Sequence, residues 1–378
     1  MNRFRIMKWL LGLMLSMLFI FPASAQETVF SQYYNNPVYY NPGLIGADLG
    51  MKLRLQYRDQ WSSLPGDFKT LNFNMDIAER NIPGSGGLAV MFNRKQEGQG
   101  FLEKTVMGLG TSVRIQLQNN IVTHLGVMGS FVEQRVNWDN LVFSDEFDDR
   151  YGAIYPTAFT PPATGLGTVR YPDIVLGNII RFFPDTYSAD KIVGTVGLAV
   201  HHALEPDDSY LALESKVPRK YVAHGNLMWI DDMGSRSGDG FSGLTKYDFG
   251  FLFESWQTRT NYAVGINVMR SNLYLGAWYR GESYGDFRSD AVAFMLGVNY
   301  SMADNAIMKV MYSYDWDLND LVSISGPTHE LTLIFQMTDV MMFGKAENFK
   351  GSSYGRGSYG GRSSSGGIIQ QPLECSPF

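Results

Sequence analysis

Apolar and polar residues alternate along this chain, with few breaks, from Met51 to Met337. Leu71, Phe73, Met75 and Ile77 are apolar, while Asn72, Asn74 and Asp76 between them are strongly polar. Side chains of a strand point to opposite faces in turn, so a two-residue period is a strand signal. The pattern returns at Leu53, Leu55 and Tyr57, at Leu109, Val113, Ile115 and Leu117, at Tyr262 to Val268, and at Val292 to Tyr300. No stretch of comparable length carries a helical 3.6 period. The chain is all-β, and the fold must supply a place where so much alternating strand is stable.

Before the first strand, Arg3, Arg5 and Lys8 precede an apolar run from Trp9 to Phe21, followed by Ala23-Ser24-Ala25. This is the order of a secretory leader with an A-x-A cleavage site. The run has 13 residues, short of the roughly 17 to 25 of a membrane-spanning helix. The expected domain layout is a signal peptide over 1–25, an aromatic and Asn-Pro-rich segment over 26–50, a barrel over 51–340 and a flexible tail over 341–378. Loss of the three basic residues with the leader takes the formal charge from −6 to −9. An acidic balance argues against a nucleic-acid partner. Cys375 is the single cysteine, so no disulfide can form within the chain.

Alternating runs between turn signals predict about fourteen strands. They lie near 51–60, 68–78, 86–94, 105–118, 120–136, 174–183, 192–202, 220–230, 246–257, 260–268, 272–280, 290–301, 305–315 and 329–338. A soluble sandwich and an outer-membrane barrel share this pattern, since one puts the apolar face into a core and the other into lipid. Runs of about 9 to 11 residues fit an oblique bilayer crossing. Aromatic residues make up 14% of the chain, and Trp61, Trp138, Trp256 and Trp278 sit at strand ends as girdle residues would. No boundary interrupts the series, so the prediction is a transmembrane antiparallel β-barrel in the outer membrane, its outer face against lipid. An even strand number sends both terminal segments to the periplasmic rim. The link 231–245 is long where a short turn is expected, which means either a slipped strand count or an enlarged periplasmic loop.

Residues 26–50 have no clear period and are expected to pack against the barrel mouth or enter the lumen. Asn-Pro stops helix formation, and Phe30, Tyr33 and Tyr34 provide aromatic anchors with polar tips. Arg54 and Arg58 should face the lumen beside Asn72, Asn74 and Asp76, where Arg58 could pair with a carboxylate across the hairpin. The tail from about Lys350 to Gly367 is Gly, Ser, Tyr and Arg, too poor in apolar residues to order itself.

Chemistry-bearing motifs are weak. Gly238 to Gly243 fits G-x-G-x-x-G literally but precedes a strand pattern, so it reads as a loop. Asp315, Asp317, Asn319 and Asp320, like Asp145, Glu146, Asp148 and Asp149, read as solvated acidic loops lacking the EF-hand spacing. His201 and His202 are adjacent and should fall on opposite faces of a strand. Neither H-E-x-x-H nor a G-x-S-x-G elbow occurs. No enzyme activity, metal or cofactor is expected.

Val29-Phe30-Ser31-Gln32-Tyr33-Tyr34-Asn35-Asn36-Pro37 continues through Asn41-Pro42-Gly43-Leu44-Ile45-Gly46, and then comes Tyr57-Arg58-Asp59-Gln60-Trp61. With Ser313-Tyr314-Asp315 and His329-Glu330-Leu331 near the far end, this order resembles the PorP/SprF family of the type IX secretion system of the Bacteroidota. Gly43 stands where that family often has Ala, and the Gly/Ser/Tyr/Arg tail is longer than usual. The resemblance implies an accessory barrel that assists secretion or surface display of a specific substrate such as a large adhesin, in some members for gliding motility. It implies type IX components, and a periplasmic peptidoglycan-linked protein, as partners. Phe30, Ser31, Gln32, Tyr33, Asn41, Pro42, Gly46, Arg58, Gln60 and Trp61 are the candidate plug or partner-binding residues. The competing expectation is a passive pore or a transporter of hydrophobic solutes.

Overall fold

The computed structural model describes residues 29–342, apart from 49, 65, 67, 80–83, 99–101, 138–140, 149, 159–166, 184–190, 210–214, 232–244, 258, 284–286, 304, 319–324 and 339. The leader, the tail with Cys375, the glycine motif at 238–243, Trp138, Asp149, Asn319 and Asp320 lie outside the described residues.

The strands are β1 (Met51–Asp59), β2 (Lys69–Ala78), β3 (Ser85–Glu97), β4 (Leu102–Gln118), β5 (Ile121–Val136), β6 (Phe147–Asp148), β7 (Gly152–Ala153) and β8 (Thr168–Phe182). They continue as β9 (Lys191–His201), β10 (Lys220–Asp231), β11 (Thr245–Trp256), β12 (Arg259–Arg270), β13 (Leu273–Ser283), β14 (Phe287–Ala303), β15 (Ala306–Asp317) and β16 (Thr328–Met337). β6 and β7 form a small separate hairpin, and the other fourteen close into one antiparallel barrel, with β1 paired to β2 on one side and β16 on the other. Closure satisfies every strand edge without water, which is what lets a sheet cross a bilayer.

The alternation resolves into an inverted protein. Lys52, Arg54, Gln56 and Arg58 of β1 and Thr70, Asn72, Asn74 and Asp76 of β2 are buried inside. Leu55, Tyr57, Leu71, Leu109 and Leu198 stand exposed on the outer face, Leu109 by 71%. A soluble domain with such an apolar band would aggregate, whereas a barrel in lipid requires it.

Three expectations need correction. β8 begins at Thr168, not near 174, and so runs through Pro172. Its pairing with β9 covers only Leu176 to Phe182, while β5 pairs along the other side from Thr168. Pro172 thus sits where β8 is an edge, the one kind of strand position that tolerates a missing N–H. Trp278 and Trp256 are not girdle residues: both are buried, because the lumen-facing set of β13 is Tyr274, Trp278 and Arg280 while Leu273 and Leu275 face outward. His201 and His202 do not fall on opposite faces. β9 ends at His201, and a φ of +54° at His202 turns its side chain back inside, where it meets Asp173 at 2.8 Å.

The link between β10 and β11 is long without any slip of the strand count. β10 ends and β11 begins at the rim at which β1 starts and β16 ends, called here the inner rim, and residues 232–244 between them lie outside the described residues. The longest links, 137–167 and 202–219, belong to the opposite, outer rim.

Candidate functional site: the filled lumen

Residues 29–48 run through the barrel interior. Tyr33–Asn35 and Pro42–Leu44 are short 3-10 turns, and Pro37–Tyr40 is a single helical turn. Proline begins the last two, where its fixed φ suits a first helical position and its missing N–H costs nothing.

Near the outer rim, two carboxylates grip the segment, one by its backbone and one by a side chain. Glu330 of β16 accepts the N–H of Ser31 at 2.9 Å and that of Gln32 at 3.0 Å. Asp315 of β15 accepts the Ser31 hydroxyl, which in turn accepts Arg58 Nη1 at 2.5 Å. Arg58 Nη1 also lies 3.1 Å from Glu330 and 3.3 Å from Asp315, and Arg280 Nη2 lies 3.1 Å from Asp315. Gln32 Nε2 donates to Ser313 Oγ at 3.2 Å and to the Glu330 carbonyl at 3.1 Å. Two guanidiniums face two carboxylates, so the cluster is neutral and each charge is paired. That is the condition under which buried ions are tolerated and the geometry that fixes a register.

Arg58 therefore does not pair across the β1–β2 hairpin. In the ladder its neighbours are Thr70 on β2 and Glu330 on β16, so its carboxylates come from the strands that close the barrel. Arg54 makes the hairpin pair, with Asp76 at 2.5 Å and Asn74 at 3.1 Å. Asp315 and Asp317 are buried strand residues, not loop residues.

Below this cluster lies an aromatic layer. The Tyr33 ring meets Trp278 edge-on with centroids 5.1 Å apart and Tyr40 at 5.8 Å, and Phe30 packs on Tyr39 at 5.4 Å. The hydroxyls are used: Tyr33 donates to the Phe251 carbonyl at 3.1 Å, and Tyr40 accepts the Phe30 N–H at 3.0 Å. Edge-to-face geometry of this kind adds to the burial of large rings.

Deeper still, Asn41 is fully buried and holds the turn in place. Its Oδ1 accepts the Gly43 N–H at 2.8 Å, and its Nδ2 donates to the carbonyls of Asn178 and Leu198 and lies 2.9 Å from His224 Nε2. The wall makes room with glycine. A Cβ at Gly126 would stand 2.1 Å from the Pro42 carbonyl oxygen, and one at Gly177 would stand 2.0 Å from Asn41 Oδ1. Toward the inner rim, Gly46 donates its N–H to Asp76 at 3.0 Å and Ser112 Oγ donates to the Ile45 carbonyl at 2.6 Å. Asp48 there pairs with Lys52 at 2.6 Å and Arg181 at 3.3 Å.

Eight of the ten candidate residues are thus brought together in the lumen: Phe30, Ser31, Gln32, Tyr33, Asn41, Pro42, Gly46 and Arg58. Gln60 and Trp61 stay at the outer rim. Gln60 closes the start of the β1–β2 link by donating its N–H to the Phe68 carbonyl, and Trp61 packs edge-on against Phe68 at 5.3 Å. Sequence reasoning missed Arg280, Trp278, Tyr274, Asn178 and the wall glycines, which have no local signature. Glu330 and Asp315 stood in quoted motifs, but nothing in their neighbourhoods marks them as the grip on Ser31.

The interior is filled rather than hollow. A cavity of about 70 Å³ remains beside Tyr33, Tyr34, Leu44, Arg181 and His224, and one of about 60 Å³ beside Tyr39, Met128 and His201. A larger vestibule of about 310 Å³ opens at the outer rim. Among the described residues no group of three or more His, Cys, Asp or Glu is placed to hold a metal ion. The acidic residues at 145 and 148 are engaged locally: Asp145 accepts the Ala158 N–H at 2.6 Å, and Asp148 accepts the N–H groups of Arg150 and Tyr151.

Fold and interior together define an outer-membrane β-barrel occluded by its own N-terminal segment. The chain belongs to the family of type IX secretion system membrane proteins PorP/SprF, which matches residues 23–335. No curated protein matches the sequence. Among solved structures it is similar to the Ralstonia pickettii toluene transporter TbuX, with 9% identity and a TM-score of 0.43 over 80% of this chain and 93% of that one. It is also similar to a Pseudomonas aeruginosa FadL homologue (10% identity, TM-score 0.40, 80% and 94%) and to CdiB from Acinetobacter baumannii (7%, 0.38, 75% and 59%).

Proposed function

We propose that this barrel is a non-enzymatic accessory of type IX secretion that binds one exported substrate, such as a large adhesin, and assists its passage to or display on the cell surface. Gliding motility is one process such an adhesin would serve. The observation that carries this reading is the occluded lumen: Glu330 holds the Ser31 and Gln32 backbone N–H groups, Asp315 holds the Ser31 hydroxyl, and the Asn41-Pro42 turn fits a wall pared to glycine. A passive pore or hydrophobic-solute transporter needs a path for its solute, and the two cavities beside the segment, of about 70 and 60 Å³, are room for a few waters each. Binding then falls to the rims. The outer-rim links 137–167 and 202–219 face the substrate, and the inner rim faces type IX components and a peptidoglycan-linked periplasmic protein.

The test compares surface and periplasmic proteomes with and without the gene. One large surface protein should vanish from the surface while other exported proteins stay. Unchanged export with reduced uptake of a small apolar solute would replace this reading with the transporter.

A further inference from the structure

We infer that the outward face of β3, β4, β5 and β8 at the outer rim is the docking surface for a phosphorylated glycolipid of the outer leaflet, with Arg94, Arg135 and Arg170 receiving its phosphate groups. The surface lies on the barrel's exterior and is independent of what the protein exports.

The ladder sets its residues side by side, on the parity that exposes Met107 and Phe131 and buries Met91 and Met128. In the outermost row Gln96 of β3 pairs with Glu103 of β4, Glu103 with Arg135 of β5, and Arg135 with Thr168 of β8. One row closer to the membrane centre come Arg94, Thr105, Glu133 and Arg170, again in register. The row after that is Phe92, Met107, Phe131 and Pro172, with no charge in it. The charged rows thus end where the apolar band begins. That band continues along β4 through Leu109, Val113, Ile115 and Leu117, all exposed. From Met107 to Leu117 a strand rises about 34 Å, which at the usual barrel tilt covers about 25 Å of hydrocarbon. The charged rows therefore stand at the level of the outer headgroups, where lipid phosphates lie.

Two carboxylates organise the three guanidiniums. Glu103 Oε1 accepts from Arg94 Nη2 at 3.1 Å, and its Oε2 accepts from Arg135 Nε at 2.8 Å and lies 2.6 Å from Arg135 Nη2. Glu133 Oε2 accepts from Arg170 Nε at 2.7 Å. One positive charge is left over. The arginine side chains stay 48%, 49% and 62% exposed, against 11% for Glu103 and 34% for Glu133. Donors more than carboxylate oxygens therefore face outward. Among the described residues these contacts engage one nitrogen of Arg94, two of Arg135 and one of Arg170. The rest of each planar fork suits the oxygens of a phosphate, a geometry that lysine does not offer.

The opposite side of the barrel is different. On β10 to β13 the two outermost outward rows are Tyr221, Ser255, Thr260 and Ser283, then Ala223, Phe253, Tyr262 and Gly281, uncharged throughout. Next to the arginine side, Lys69 of β2 and Asp59 of β1 pair in the ladder with opposite charges. A belt that served only hydration would ring the barrel, whereas an excess of arginine on one side fits one anionic neighbour there.

The probe is bisphosphorylated lipid A, offered alongside its dephosphorylated form to the full-length protein in mild detergent, with bound lipid counted by native mass spectrometry. Retained heat-modifiable mobility verifies that the barrel has formed. We expect the unaltered protein to bind lipid A several-fold better than the dephosphorylated form, and the triple variant Arg94→Gln, Arg135→Gln, Arg170→Gln to lose that preference. Ser255→Ala with Thr260→Ala, on the uncharged side, should keep it. An excess of inorganic phosphate, against chloride at matched ionic strength, should leave the lipid bound, because its chains also lie on the apolar rows. Displacement by phosphate would assign the arginines to a soluble anion and overturn the glycolipid. Equal binding of the two lipids by the unaltered protein overturns the inference without any variant, and so does a preference that survives in the triple variant.

Discussion

Gly177 faces the lumen at a point where a methyl group has no room: an added Cβ would stand 2.0 Å from Asn41 Oδ1 and 2.8 Å from Pro42 Cδ. Neither neighbour can step aside, since Asn41 is tied to two wall carbonyls and Pro42 is fixed by its ring. Overpacking of a tight site costs about 1–3 kcal/mol, and a contact with anchored atoms belongs at the upper end. Gly177→Ala should loosen the plug without harming the barrel, because the ladder around it is untouched. Hydrogen exchange within residues 30–46 should quicken while the barrel keeps its heat-modifiable mobility. Gly129→Ala is the matched control, since a Cβ there meets nothing within 4 Å. Equal exchange in the two variants would show that the glycine wall does not hold the turn.

The elements differ in how they are held, and the loop carrying β6 and β7 depends on its carboxylates. The N–H of Ala158, with the Thr157 hydroxyl, holds Asp145 below the usual carboxylate range, and the N–H of Arg150, with the Tyr155 hydroxyl, does the same for Asp148. A depressed folded-state pKa contributes stability that is present above the unfolded value and lost as pH falls through the folded one. Protease resistance of residues 141–158 should therefore be flat from neutral pH down to about 4 and fall in more acidic solution. A loss of resistance already between neutrality and that point would mean other groups hold the loop. This local order was not legible in the sequence, where the same aspartates read as a solvated acidic run. The barrel strands were legible, because side-chain parity along β1, β2, β12 and β14 needs no knowledge of the partner strand. What failed were features set by distant pairing. Arg58 meets a glutamate 272 positions away only because β16 closes onto β1. Pro172 is admitted only because β9 stops short of it, and a tryptophan at a strand end is girdle or core according to a parity fixed by its neighbours.

At the scale of the molecule, the barrel and its plug are held by separable interactions. The wall is a closed ladder of backbone hydrogen bonds, including nine paired positions across the β1–β16 seam, and none of them involves residues 29–48. The plug contributes side chains and turns that touch the wall from within. Removing residues 29–46 should thus leave a folded barrel whose polar lining, among it Arg54, Arg58, Asp76, Asp315 and Glu330, faces water instead of polypeptide. Buried ion clusters depend on complete partnering, and hydration can replace the lost backbone donors of Ser31 and Gln32, so the lining survives exposure. In planar bilayers the intact protein should be silent, and the deletion variant should show a steady conductance, since barrels of this size enclose a channel when nothing fills them. Identical conductance in the two would sink the view that the segment seals the lumen. The same variant separates sealing from docking. If the barrel assembles and conducts but the substrate still reaches the surface, the segment only closes the hole. If the substrate is lost although the barrel assembles, the segment also takes part in export, and the Ser31-Gln32 step that Glu330 and Asp315 hold at the outer rim is the part of it placed on the substrate's side.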